Sequence, residues 1–171
     1  AGGMPNLKDL PLDRLAASAE KLIRNHGAQA MQYGSGQGWE VLRERITEVM
    51  AYDGIVGADP DDVVVTTGSQ QALDLVTELF VNPGDVILAE APSYVGALGV
   101  FRARQADIVH VPMDENGIIP EALVETIRDV RASGRTIKFI YIIPNYHNPA
   151  GVTLSAERRP IIAEICLREH V

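Results

Sequence analysis

Cysteine is nearly absent from the chain: Cys166 stands alone among 171 residues. No disulfide framework is expected, and a reducing cytoplasm fits. Cys166 lies among apolar residues of a helical pattern and reads as a buried, inert thiol. Positive charge is also short. Lys and Arg total 15 against 23 Asp and Glu, for a net charge of −8. That balance argues against nucleic acid or an anionic membrane as a partner. No apolar run approaches the length of a membrane span. The opening Ala1-Gly2-Gly3 is neither basic nor followed by an apolar stretch, so no secretory leader is expected.

Several chemistries lack their signatures. His26, His110, His147 and His170 show no metal-ligand spacing. Neither a Gly-x-Ser-x-Gly elbow nor a Cys/His nucleophile pattern occurs. Gly34-Ser35-Gly36-Gln37-Gly38 is glycine-rich, but no strand precedes it. It also lacks dinucleotide spacing and the Lys-Ser/Thr ending of a P-loop, and reads as a bend between helices. Ser18-Ala19-Glu20-Lys21 spells S-x-x-K inside an amphipathic helix, without the partner motifs of a serine hydrolase.

What is present is a chain able to bury a core, with 46% hydrophobic residues and a length suited to one domain or part of one. Apolar spacing predicts helices over 12–25 and 37–52, with the arginines and glutamates of 40–45 on the solvated side. Val63 to Thr67 reads as a short strand, with Asp61-Asp62 a solvated turn before it. Helices over 69–80, 94–104, 120–132 and 155–169 then alternate with strands over 86–89, 107–111 and 137–143. Pro120 suits a helix start. Pro160 falls early in the last helix, which should begin late or kink. The alternation predicts an α/β fold of three layers, α/β/α, around a mostly parallel sheet. Continuous apolar runs fit strands buried on both faces. The last helix has no strand after it, so the chain is expected to be a piece of a longer protein.

Three loops at strand ends could carry chemistry. Where the Val63–Thr67 run gives way to a helix, Gly68 permits a close turn. Ser69 could cap that helix, and the amides of Ser69 and Gln70 at its positive end suit a phosphate. An ordinary N-cap explains Ser69 as well. In Glu90-Ala91-Pro92-Ser93-Tyr94, Tyr94 could stack on a planar ligand, or be a plain core or surface tyrosine. In Tyr141-Ile142-Ile143-Pro144-Asn145-Tyr146-His147-Asn148-Pro149-Ala150-Gly151, Asn148 is restricted by the following proline and offers an NH₂ donor. A simple turn accounts for that stretch equally.

Taken together, the loops want a phosphate, a flat ring and a polar ring substituent. The sequence resembles the fold-type I pyridoxal-phosphate enzymes, the class I/II aminotransferases, and within them the 2-aminoadipate and kynurenine aminotransferase branch. The matching pieces are AGGMP (1–5), QYGSGQGWEVLR (32–43), VVVTTGSQQALDL (63–75), VILAEAPSYVGAL (86–98) and YIIPNYHNPAGVTLSAERR (141–159). The resemblance implies that Gly68, Ser69 and Gln70 hold the cofactor phosphate and that Tyr94 stacks on the pyridine ring. Asn148 would donate to the ring's phenolic oxygen, near the substrate carboxylate. Tyr33 would reach the neighbouring subunit's phosphate in a homodimer, and Gly2 and Gly3 would pass close to the substrate. Residues 1–26 would form an N-terminal segment and helix, and 27–171 part of the cofactor-binding large domain.

The sequence departs from the family where Ala150 replaces Thr and His147 replaces a commoner Gln. It also lacks the Schiff-base lysine, because its only lysines are Lys8, Lys21 and Lys138. Lys21 precedes the phosphate loop and Lys138 begins a strand, so the chain alone is expected to be inactive. The expected activity of the whole protein is transamination between an amino acid and a 2-oxo acid in the cytoplasm. The alternative is the aminotransferase-like module of a MocR-type transcription regulator, which would need a basic winged helix upstream.

Overall fold

A computed structural model describes residues 6–171. Contacts divide the chain into two compact units, Ala1–Thr66 and Thr67–Val171. Among the described residues no helix is long and apolar enough to cross a membrane.

The first unit is helical. A short 3₁₀ turn, Leu7–Asp9, precedes α1 (Leu12–Ala30) and α2 (Glu40–Tyr52), and a second turn, Pro60–Asp62, follows. α1 runs beyond the expected end at residue 25, with a kink where His26 leaves helical geometry at φ −135°. α2 starts at Glu40 because Trp39 is extended, at φ −66° and ψ 131°. Arg43 does not lie on the solvated side as its neighbours do; it is buried. Its guanidinium donates to the Pro60 carbonyl at 2.6 Å and to Asp61 Oδ1 at 2.9 Å, tying α2 to the Pro60–Asp62 turn.

The expected strand at Val63–Thr67 does not form. An apolar extended run becomes a strand only when a neighbour supplies a ladder. Here the Val65 amide donates to the Gln37 carbonyl at 2.8 Å, which joins the run to a loop. Among the described residues no strand pairs with it.

The second unit holds the sheet. Its elements are α3 (Gly68–Phe80), β1 (Val86–Ala91), α4 (Val95–Ala103), β2 (Asp107–Asp114), β3 (Gly117–Ile118), α5 (Pro120–Ala132), β4 (Ile137–Tyr141) and α6 (Arg158–Glu169). The strand order is β3-β2-β1-β4. β1 pairs in parallel with β2, from Val86 opposite Asp107 to Ala91 opposite Pro112. It pairs in parallel with β4 too, with a register shift after Val86. Only the two-residue β3 runs antiparallel, against β2.

β1 shows why the sheet has helices on both faces. Successive side chains alternate across a strand. Val86 and Leu88 join Leu123, Ile127 and Val130 of α5 and Ile162 and Ile165 of α6. Ile87 and Ala89 join Ala97, Leu98 and Phe101 of α4 instead. The expected three-layer α/β/α arrangement is thus present. Each fully buried Leu or Ile in these layers contributes about 1.5–3 kcal/mol.

Pro160 sets the start of α6. The helix begins at Arg158 rather than Ser155, which places the proline in the first turn, where a missing N–H costs no intrahelical bond. Ser155 instead receives the Arg158 amide on its carbonyl at 3.1 Å. Arg158 grips Asp114 with two bonds of 2.6 and 2.7 Å and donates to the Gly117 carbonyl at 2.9 Å. It thereby holds the β2–β3 hairpin.

Candidate functional site

β1 and β4 are parallel neighbours, so their carboxyl ends lie on one edge of the sheet, as ligand-bearing edges of open α/β sheets do. β1 delivers Tyr94 there, and β4 delivers the loop with Asn148.

α3 begins at Gly68, whose φ is +77°. An L side chain is strained in that region, so glycine is needed for the turn. Nothing lies within 4 Å of where its Cβ would be, so space is open above the helix start. Ser69 is not the cap expected from its type. Thr67 holds that position without a side-chain bond, and Ser69 sits exposed inside the first turn. The Gln71 side chain supplies the capping contact, accepting from the Thr67 amide at 2.5 Å. The first amides of a helix have no intrahelical acceptor and sit at its positive end. No acidic residue occupies this first turn. A helix start that carries the exposed Ser69 hydroxyl and no competing carboxylate is a donor set suited to a phosphate.

Gln70 and Tyr94 meet at the start of α4. Gln70 Nε2 donates to the Gly96 carbonyl at 3.3 Å. The Tyr94 ring lies over Gly96 so closely that a Cβ there would fall 2.5 Å from its Cε1. Ser69 and Tyr94 also border a groove of about 660 Å³, walled by Leu73, Phe101, Phe139 and Tyr141. Phe101 fixes that wall, edge-on to Phe139 at 5.9 Å and to Tyr141 at 5.5 Å between ring centroids. Burial pushes the Tyr141 hydroxyl above its ordinary pKa, aided by Tyr94 and Glu90.

Beyond β4, Asn145 and Asn148 take different surroundings. Asn145 Oδ1 accepts from Arg159 at 2.6 Å, and Arg159 also donates to the Leu154 carbonyl at 3.1 Å. Asn148 is exposed and begins a cis peptide with Pro149. It does not line the groove beside Ser69 and Tyr94. Tyr33 belongs to the first unit and is 98% exposed. Gly2 and Gly3 lie outside the described residues.

The structure brings in two residues that were not candidates, Glu90 and His147. Glu90 Oε2 accepts from the Ile143 amide at 2.8 Å and lies 3.1 Å from His147 Nε2. Burial raises the Glu90 pKa, while the Ile143 amide and His147 pull it down less strongly. Glu90 lies inside β1, one residue past the strand end expected from sequence, as the single acid of an apolar run, a pattern that demands a compensating partner. Among the described residues no group of three or more His, Cys, Asp or Glu is placed to hold a metal.

Known proteins resemble this chain in sequence and fold. The aminotransferase class I and II family pattern matches residues 3–171. Aromatic-amino-acid aminotransferase 1 of Thermococcus litoralis is 36% identical over 96% of this chain and 40% of its own length. The 2-aminoadipate transaminase of Thermus thermophilus is 38% identical over 88% of this chain and 35% of its own. The crystal structure of Pyrococcus horikoshii kynurenine aminotransferase, in complex with PMP, superposes with a TM-score of 0.91 at 34% identity. That match covers 99% of this chain and 42% of the other. The chain thus spans about 40% of the length of the first of these relatives. With the family pattern matching nearly its whole length, the chain belongs to the class I and II aminotransferases.

Proposed function

We propose that this chain is the N-terminal part of a pyridoxal-phosphate-dependent transaminase that moves an amino group between an amino acid and a 2-oxo acid. The observation that carries the reading is the open, acid-free start of α3 beside the Tyr94 ring. The residues fit the cofactor. Gly68, Ser69 and Gln70 bind its phosphate through helix-start donors, and Tyr94 presents a ring face to its pyridine. Asn148 donates to the ring oxygen and stands near the substrate carboxylate. Bound pyridoxal phosphate supplies an electron sink; the protein supplies orientation and hydrogen bonds. Gly2 and Gly3 approach the substrate, Tyr33 reaches a neighbouring subunit in a homodimer, and the protein works in the cytoplasm. Residues 27–171 form the first part of the cofactor-binding domain. Relatives named as aminotransferases support this reading, and no observation favours the regulator module.

The 171 residues alone carry no turnover under this reading. Lys138 also borders the groove, but it lies in β4 at the end opposite the Asn148 loop and pairs with Asp85 at 3.4 Å. Lys8 and Lys21 belong to the other unit. The test is the visible spectrum of the full-length protein with pyridoxal phosphate. A lysine adduct fixed by borohydride and a spectral change on adding amino donors are expected. A full-length protein that shows neither is not a transaminase.

A further inference from the structure

We infer that Glu90 and His147 are positioning residues, a buried pair that joins the end of β1 to the turn bearing Asn148 and holds that amide toward the cofactor ring. The inference rests on the transaminase reading for what Asn148 does. Its mechanical half stands on the geometry alone.

The side chains are almost wholly enclosed, at 2% exposure for Glu90 and 1% for His147. β4 ends at Tyr141, and Glu90 reaches across from β1 to take the Ile143 amide just beyond it, at 2.8 Å. The same oxygen, Oε2, faces His147 Nε2 at 3.1 Å. The two atoms are within ion-pair distance, although the N–H is not aimed for a regular hydrogen bond. His147 then closes the turn in three ways. Its amide donates to the Val152 carbonyl at 2.7 Å, and its carbonyl accepts from the Gly151 amide at 2.6 Å. Its Nδ1 accepts from the Ala150 amide at 3.2 Å. That last bond makes Nδ1 the bare nitrogen, so the ring hydrogen sits on Nε2, the nitrogen 3.1 Å from Glu90 Oε2.

Asn148, Pro149 and Ala150 are exposed, whereas His147 immediately before them is not. An exposed amide can be held in place only through its anchored neighbours, and His147 is the buried one. Two ionisable groups buried together are a poor source of stability compared with apolar residues of equal volume. Their arrangement instead specifies one loop geometry, because Glu90 meets the chain beyond β4 at two points, the Ile143 amide and the His147 ring. Tyr141 lies near enough to feel the Glu90 carboxyl, and His110 Nδ1 lies 3.2 Å from the Glu90 backbone carbonyl oxygen.

The experiment uses the full-length protein and its variants His147→Gln, His147→Leu, His147→Asn and Asn148→Ala. Amide exchange is measured over 143–152 without cofactor, with α5 as the internal reference for an intact fold. The pH at which the bound cofactor's absorbance changes is the second readout. His147→Leu should speed exchange of the turn by roughly tenfold or more through local opening, and move the spectral transition in the direction Asn148→Ala does. His147→Gln, an amide of similar reach, should restore both. His147→Asn, too short to reach Glu90, should behave like Leu. It decides the matter if the Leu variant does not fold. Wild-type exchange in both Leu and Asn variants, or failure of Gln to restore the turn, overturns the pair. An Asn148→Ala protein with an unmoved spectral transition overturns the ring contact instead, and the exchange data still judge the pair.

Discussion

α5 and α1 both space apolar residues three and four apart, yet they end in opposite surroundings. α5 buries Pro120, Leu123, Ile127 and Val130. No residue of α1 is buried, and Leu12, Leu15 and Ile23 are more than half exposed. The contrast extends to the units. Among the described residues, every buried apolar side chain of the core, from Val86 to Ile165, lies in the second unit. The spacing of apolar residues says that a helix has a face to cover. It does not say what covers it. In the second unit the sheet does so; α1 displays a face of the kind that a longer chain or a second subunit covers.

The largest expected effect follows directly. In the 171-residue chain, Ile127→Ala should cost about 2–5 kcal/mol, the range for truncating a buried Ile. Leu15→Ala should stay within about 0.5 kcal/mol, as surface changes do. Urea unfolding of the two variants measures both. Equal costs would break the comparison. A cost at Leu15 that rises only in the full-length protein would sharpen it, by showing that the cover arrives with the rest of the assembly.

Ion pairs repeat the contrast on a smaller scale. Arg158 and Asp114 pair at side-chain exposures of 20% and 31%, whereas Arg45 and Glu48 pair on α2 at 65% and 56%. Arg158 holds the Asp114 carboxyl below its usual pKa, with help from the Asn116 amide. A depressed carboxylate stabilises the fold above the ordinary Asp range, and that stability is lost as pH falls through the lowered value. Arg158→Ala should therefore lower stability at neutral pH and flatten the acid limb of a pH–stability curve. Arg45→Ala should leave both nearly unchanged. Glu90 runs the other way. Its raised pKa gives a contribution that is full below the ordinary Glu range and fades as pH rises through the raised value. A Glu90→Gln protein whose stability keeps the wild-type pH profile would contradict that sign.

Much of the second unit was legible from the chain because its elements satisfy themselves locally. The alternation of strands and helices held, as did the late start of α6, because Pro160 permits helix only from its first turn onward. Val63–Thr67 misled because it has strand composition without a strand partner, and composition cannot reveal a missing neighbour. β3 escaped notice because two residues carry no period. In the site, Gly68 was legible through its turn. Ser69 as a cap was not, because Thr67 and Gln71 compete for the same helix start and only geometry decides. The Glu90–His147 pair joins residues 57 positions apart, so nothing local announced it, and the strand expected over 86–89 stopped one residue short of the acid.

Tyr33 gives the smallest effect on the stability of the 171-residue chain and the sharpest contrast between chain and assembly. It is 98% exposed and beside a hollow of about 540 Å³ formed with Leu22, His26 and Trp39 of its own unit. An exposed hydroxyl exchanges one partner for water at almost no cost, so Tyr33→Phe should not alter the stability of the 171-residue chain. In a homodimer where Tyr33 donates to the neighbour's cofactor phosphate, the same change removes one hydrogen bond to a charged group. That loss is worth about 1.5–3 kcal/mol, or roughly ten- to a hundredfold in cofactor affinity. Titrating full-length wild type and Tyr33→Phe with pyridoxal phosphate, followed by absorbance, reads the difference. Unchanged affinity would remove Tyr33 from the site and leave its exposure to be explained by packing alone. Weakened affinity in the full-length protein, with no change in the short chain's stability, would mean that the first unit's bare surface is half of an interface whose other half contributes to the same chemistry.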